Sequence, residues 1–481
     1  MRAWGILLGL QRGWVADGWY GKSRVMGALG GTPSRLARSD RLKLPFCAQQ
    51  HPLKVSMNQL ALFLPCAAGV EDYLLAEVAR IMGTPAPPQK QRGGVLVQAS
   101  WRDALRLNLH SRLTQRVLVQ LSLTAYRHED DLYRAAGAVA WEAWFTPRQS
   151  IKVEVTAQHS PLTSLNFAAL KIKDAVCDRF RDKAQGVRPD VDTRWPDIRI
   201  YAHLTTDSCS LYIDTSGEPL FKRGWREDKG DAPLKETLAA AMLEASGWAA
   251  QAAGDGLVPP LYDPCCGSGT IAIEAAQIAC RKAPGALRRF AFEKMLPFQP
   301  HVWEAIKLDA LRGERKQGVQ VYGSDVSHRM VDFAQRNAER AGVADVIEFR
   351  GGDALQRLPP CPGPGLMLLN PPSGERIVVA GVAGVAGEEA GRWGARELPQ
   401  SLADADMAGQ DSSAFFSRLA THWKTHFAGW TGWLLTPDLK LPGKMRMKES
   451  RRVPLWNGPI ECRMFKFDIT ARRLPVATPG E

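Results

Sequence analysis

The sequence has no apolar run of about 18 residues, so no transmembrane helix is expected and no membrane is expected as a partner. It has no Cys-x-x-Cys and no zinc-type Cys–His spacing. Its nine cysteines, an odd count, are scattered apart from the pair Cys265-Cys266. That argues against a disulfide framework and against a metal site, and for reduced thiols in the cytoplasm. Acids are scarce in residues 1–56, where nine Lys/Arg face only Asp17 and Asp40.

What is present is an ordinary globular balance over 481 residues, enough for two or three domains. The formal net charge is +12, and residues 1–56 account for seven of those charges. The remainder is only mildly basic, so a nucleic-acid partner must be argued from local patches. Residues 1–56 have no helical or strand period. They read as a basic extension without a fold of its own, with a transit peptide or an RNA-binding arm as alternatives.

From residue 60 the pattern becomes periodic. Residues 60–65 and 93–98 read as strands, and 69–81 has apolar residues on one helical face. Residues 101–118 read as a second amphipathic helix, with Arg102, Arg106, Arg112 and Arg116 outside. Strands follow at 150–156, 197–204 and 209–214, with a helix at 166–180. This is α+β organisation. Lys171, Lys173, Arg179, Arg199, Lys222 and Arg223 are candidates for a basic RNA-contacting face; a merely solvated surface is the alternative.

From 227 to 470 strands and helices alternate, which calls for a doubly wound, mostly parallel sheet. Strands are expected at 261–262, 319–324, 346–349, 366–369, 432–436 and 462–467, and helices at 234–243, 270–279, 327–341 and 412–426. Two inserts interrupt the series. Residues 281–316 are charged and carry a helix near 302–312, whereas 380–411 are Gly/Ala-rich and read as a mobile loop. Residues 471–481 form a tail.

Two stretches carry chemistry. Asp263-Pro264-Cys265-Cys266-Gly267-Ser268-Gly269-Thr270 lies between a strand and a helix, where glycines let backbone N–H groups approach a nucleotide-like ligand. Gly267-x-Gly269-x-x-Ala272 fits a dinucleotide pattern, so a nicotinamide oxidoreductase is one reading. The ribose-binding acid expected about 20 residues on is missing, however, since residues 285–292 hold none. Asp325, after the next strand, is the candidate in its place, with a helix cap as its alternative. Asp353 and Ala354, after the third strand, are candidates for adenine, with a turn aspartate as the alternative.

The second stretch is Asn370-Pro371-Pro372-Ser373, after the fourth strand. An exocyclic base amine must be oriented before it can attack a sulfonium methyl. The Asn370 oxygen and a backbone carbonyl near Pro371 could each accept one of its N–H groups, and two prolines would stiffen the clamp.

At these residues the chain resembles the THUMP-domain class I RNA methyltransferases, and within them the bacterial large-subunit ribosomal RNA guanine-N2 group. The resemblance runs from about 60 to 469. It rests on 232–241 (Ala-Pro-Leu-Lys-Glu-Thr-Leu-Ala-Ala-Ala), 263–270, 322–325, 370–376, 457–462, and the shorter pieces 171–174 and 196–199. It implies an N-terminal ferredoxin-like part at 57–100, a THUMP RNA-binding domain at 101–226 and a Rossmann-like methyltransferase domain at 227–470. It further implies S-adenosyl-L-methionine as cofactor and methylation of guanine N2 in 23S ribosomal RNA, free or in a pre-50S particle, by a monomer. Some members carry a second methyltransferase domain, whereas this chain resembles the single-domain form. The departure is Ser373, where the family has Tyr or Phe to stack on the target base. Trp393 is a candidate replacement.

Overall fold

The computed structural model describes residues 56–83, 87–230, 233–318, 320–371 and 402–470, with 402–412 described as backbone only. The first element is β1 (Leu60–Pro65), whose alternate residues Leu60, Leu62 and Leu64 are buried. The chain continues with α1 (Glu71–Met82), β2 (Gln89–Gln91), β3 (Gly94–Ala99), α2 (Trp101–His110), β4 (Leu118–Ala125), α3 (Glu129–Ala138), β5 (Ile151–Ala157), α4 (Leu165–Lys183), β6 (Ile198–Leu204) and β7 (Ser208–Asp214).

These seven strands form one sheet in the order β2-β3-β1-β4-β7-β6-β5, antiparallel except for the β5–β6 pair. The ferredoxin-like and THUMP parts share it. Leu62 opposite Val119 and Phe63 opposite Leu118 join β1 to β4.

The helix expected over 101–118 stops at His110. Its start is fixed by Ser100, which accepts from the Asp103 N–H in a capping box. Its end is drawn off by buried Glu77, whose carboxylate accepts from the N–H groups of Arg112 and Leu113 and from the Ser111 hydroxyl. Arg112 and Arg116, expected outside, are turned inward. Arg112 pairs with Glu274 at 3.1 Å and Arg116 pairs with Asp214.

The second half contains α5 (Glu236–Ser246), α6 (Trp248–Ala253), β8 (Leu261–Asp263), α7 (Thr270–Ala279), α8 (Pro300–Arg312), β9 (Val321–Asp325), α9 (His328–Arg340), β10 (Ile347–Gly351) and β11 (Leu366–Leu369). A long helix Leu402–His426 follows, then β12 (Thr431–Thr436), a short helix Leu441–Met445, β13 (Arg451–Asn457) and β14 (Ile460–Asp468). The sheet order is β10-β9-β8-β11-β12-β14-β13. The first five strands run parallel, and β14 is antiparallel to both neighbours. The Rossmann-like, mostly parallel sheet read from the sequence is therefore what forms. Its core includes Tyr262, Met367, Leu369, Phe416, Trp423, Phe427, Leu434, Phe465 and Phe467.

Strand order reverses between β8 and β11, which makes their carboxyl ends the switch point where open α/β sheets take ligands. The insert expected at 380–411 ends in helix, since Leu402–His426 begins ten residues before the expected 412; residues 372–401 lie outside the described residues.

The other insert joins the two sheets. In the loop before α8, the N–H groups of Ala291 and Phe292 donate to the carbonyls of Ser216 and Thr215, and Leu296 N–H donates to the Trp144 carbonyl. Arg288 donates to the carbonyls of Pro219, Lys222, Ser216 and Glu218. Phe290 and Phe292 stack at 5.0 Å, and Trp303 of α8 meets both edge-on.

Candidate active site

The Asp263–Thr270 loop sits at the carboxyl end of β8. Asp263 is buried, and its Oδ1 accepts from the Cys265 N–H at 3.1 Å. Burial, reinforced by the nearby charge of Asp325, pushes its carboxyl up to about 8. Pro264 is buried, and Cys266 N–H donates to the Ser324 carbonyl at 2.9 Å, which ties the loop to β9. Burial pushes the thiols of Cys265 and Cys266 up as well, so neither is poised as a thiolate.

Gly267 and Gly269 have φ of 52° and 87°. A Cβ on Gly269 would meet Ala334 of α9 at 3.0 Å, whereas a Cβ on Gly267 would meet nothing within 4 Å. The two glycines therefore serve different ends. Gly269 permits close helix packing, and the side of Gly267 that a Cβ would occupy is open. Thr270 starts α7 and is buried.

Asp325 ends β9. Its Oδ2 accepts from the Gly267 N–H and its Oδ1 from the Ser327 N–H, both at 2.9 Å. One carboxylate thus shapes the glycine turn and the entry to α9 together, and burial raises its pKa. Asp353 accepts from the Leu355 N–H at 2.9 Å in the turn after β10, beside buried Ala354. Asn370 is half-buried and Pro371 is buried, directly after β11. Pro372, Ser373 and Trp393 lie outside the described residues.

The ladders align these positions. Asp263 stands opposite Gly323, Asp325 opposite Gly351, and Leu261 opposite Leu366. Asp325 and Gly351 thus end β9 and β10 side by side, while the glycine turn follows β8 and Asn370 follows β11, so the ends of four adjacent strands carry these residues. At about 4.8 Å per strand spacing the row spans roughly 14 Å. An elongated ligand lying along it would have the Asp325 carboxylate toward one end and the Asn370 amide at the other.

Sequence reasoning missed the residues that brace this edge. Arg226 Nη1 donates to Ser268 Oγ at 2.9 Å and Nη2 to Thr270 Oγ1 at 2.7 Å, while Nε donates to Glu236 Oε1 at 2.8 Å. Buried Asn337 of α9 donates to the carbonyls of Ser268 and Asp228. The Tyr262 and Ser324 hydroxyls share a hydrogen bond of 2.7 Å. Only the basic cluster Lys222, Arg223 and Arg226 offered a signal in the sequence, and it read as a basic surface.

The six candidate RNA contacts do not all reach solvent. Arg223 is 1% exposed and bonded to Glu274, so it is corrected from a surface contact to an interior ion-pair residue. The other five are paired with acids. Lys171 meets Asp130 at 2.9 Å, Lys173 meets Asp174 at 2.6 Å, and Arg199 meets Glu154 at 3.1 Å. Arg179 holds Glu142 through two nitrogens, and Lys222 pairs with Glu218. Among the described residues no cluster suits a metal ion and no helix is long and apolar enough to cross a membrane.

Three sequence families match consecutive parts of the chain. These are an RlmL ferredoxin-like domain over 61–118, a THUMP domain over 126–214 and an RMKL-like methyltransferase domain over 223–384. Among curated proteins, the ribosomal RNA large subunit methyltransferase K/L of Psychromonas ingrahamii is 35% identical over 420 residues, covering 86% of this chain and 51% of that protein. The protein of the same name from Syntrophotalea carbinolica is 34% identical over 419 residues, covering 85% and 54%. The chain spans about half the length of the curated relatives it matches. Among solved structures, a possible methylase from Clostridium difficile 630 superposes with a TM-score of 0.71 at 25% identity, covering 87% of this chain and 100% of that one. A predicted N6-adenine-specific DNA methylase from Listeria monocytogenes gives 0.70 at 26%, covering 85% and 96%.

Proposed function

The chain belongs to the THUMP-containing class I methyltransferases, and on that premise we propose that it methylates the exocyclic N2 of a guanine in 23S ribosomal RNA. The cofactor is S-adenosyl-L-methionine, and the substrate is 23S RNA, free or within a pre-50S particle. The chain works as a monomer in the cytoplasm. The observation that carries this reading is the meeting of the glycine turn and Asn370-Pro371 on adjacent strands at the switch point.

The residues present fit the cofactor. Gly267 leaves an open approach to the turn. Asp325 has one N–H bond on each carboxylate oxygen and so retains acceptor capacity for ribose hydroxyls. Asp353 and Ala354 stand where the adenine would be held, and the 263–270 loop holds the remainder. When bound, S-adenosyl-L-methionine supplies an electrophilic methyl on a sulfonium.

The chain's own part is orientation. The Asn370 side-chain oxygen and the Pro371 carbonyl each accept one N–H of the target amine. This turns the nitrogen lone pair away from the base plane and toward its reaction partner. The base reaches them unstacked from the RNA. The ferredoxin-like and THUMP sheet carries the RNA-binding role, with Lys171, Lys173, Arg179, Arg199 and Lys222 exchanging acidic partners for phosphates.

Reaction with unmodified 23S RNA followed by mass mapping tests this directly. One methylated guanine is expected, and a methyl on an adenine or on a tRNA guanine would overturn the target. Asn370→Ala should lower turnover at least 100-fold, on the order of 3 kcal/mol in the transition state, with S-adenosylhomocysteine binding unchanged. Full activity in that variant would remove the clamp. Ser373 motivates a second reading, an RNA-binding assembly protein without catalysis, which robust incorporation at one guanine would exclude.

A further inference from the structure

Residues 223–228 join the two sheets, and Arg223, Arg226 and Asp228 bond to the elements around the glycine turn. Arg223 is bonded to Glu274 on α7. Asp228 is bonded to Arg336 and Arg340 on α9, which hold its carboxyl down to about 2. Between them, Arg226 reaches the glycine turn.

The Arg226 guanidinium has five N–H groups in a fixed fork. Its Nε goes to buried Glu236, its Nη1 to Ser268 Oγ, and its Nη2 to Thr270 Oγ1 and the Leu234 carbonyl. Ser268 and Thr270 flank Gly269, and both are buried. Because each hydroxyl oxygen accepts from a cation, each hydroxyl hydrogen is directed away from Arg226. The fork therefore sets both the spacing of the two residues and the direction in which they donate. Glu236 holds the fork at its base, so the arrangement is neutralised without solvent.

We infer that Arg226 is a positioning residue for the cofactor turn, acting through Ser268 and Thr270 and tying that turn to the joint with the RNA-side sheet. This rests on the proposed function, because it assigns the turn to S-adenosyl-L-methionine. A residue with this role governs cofactor affinity and leaves the chemical step alone, so it separates KM from kcat.

The test uses the full chain, titrated calorimetrically with S-adenosylhomocysteine and assayed on 23S RNA. Arg226→Lys keeps the charge against Glu236 but can reach only one hydroxyl at a time. It should weaken S-adenosylhomocysteine binding about tenfold and raise the cofactor KM by a similar factor, with kcat within threefold of wild type. Arg226→Gln should weaken binding further; if it does not fold, the lysine variant decides alone. In a double-mutant cycle with Thr270→Val, the double variant should bind no more weakly than the weaker single variant. Arg226→Lys binding within twofold of wild type, or two losses that simply multiply, overturns the inference while leaving the proposed function intact. A wild-type chain that does not bind S-adenosylhomocysteine overturns both.

Discussion

Arg223 Nε lies 3.0 Å from Glu274 Oε1, and both side chains are closed off from water. Arg112 approaches the other carboxylate oxygen at 3.1 Å and accepts from Arg223 through its carbonyl. One carboxylate on α7 thus holds a guanidinium from each of two segments outside the second sheet. Breaking such a group leaves uncompensated buried charge. Glu274→Ala should cost about 3–5 kcal/mol, read as a lower midpoint in urea unfolding. Replacing all three residues by apolar ones of similar size should recover much of the loss. A single variant as stable as wild type would show that the pairs contribute nothing.

The two glycines of the turn should respond differently to alanine. Gly267→Ala meets no atom and bears only the positive-φ penalty, about 1–2 kcal/mol, yet it places a methyl on the open side and should abolish S-adenosylhomocysteine binding. Gly269→Ala adds a 3.0 Å approach to Ala334 and should destabilise the chain more. Paired melting curves and calorimetry check this; equal behaviour of the two variants would contradict the division of roles.

Asp263 sets a pH dependence. Its folded pKa of about 8 lies above the ordinary 3.8, so the folded chain holds this proton more tightly than the unfolded chain does. The resulting stability is fully present below pH 4, declines as pH rises toward about 8, and is gone above that. Asp263→Asn keeps an acceptor for the Cys265 N–H and does not titrate. Its melting temperature relative to wild type should rise between pH 5 and pH 9. A difference that stays constant across that range would exclude this origin.

On the proposed function Ser373 stands where a stacking aromatic would add about 1–3 kcal/mol. Ser373→Tyr should therefore raise kcat/KM on 23S RNA about tenfold. No change would mean that another side chain already stacks on the base.

The second sheet was legible because strands and helices alternate along it, as where β8 and β9 each lead through a turn into a helix, α7 and α9. The glycine loop and Asn370 follow from where such strands end. The chain between 101 and 125 was less legible. Apolar residues continue past His110 at spacings a helix would also show, and what stops the helix is Glu77, far back in the sequence. The strand β4 was hidden by that error, since β4 opens at Leu118.

Arginine was the other blind spot. Arg112, Arg116 and Arg223 look like surface charges because their acids, Glu274 and Asp214, lie 51 to 162 residues away. A run of charge reveals how much positive charge exists, and only the fold reveals which of it is already neutralised. Arg226 was missed for the same reason, since Ser268 and Thr270 lie 42 and 44 residues on.

Among the described residues every strand of the first sheet is hydrogen-bonded to its neighbours in the order, with a register shift at Gln120/Ser122 in the β4–β7 pair. From β2 to β5 this sheet is a bar of six strand spacings, roughly 29 Å at about 4.8 Å each. Whatever docks at one edge is held at a fixed distance from the other, and the insert before α8 pins the bar to the second sheet. On the proposed function the chain acts as a gauge, in which the separation between RNA contact and methyl transfer is set by its framework.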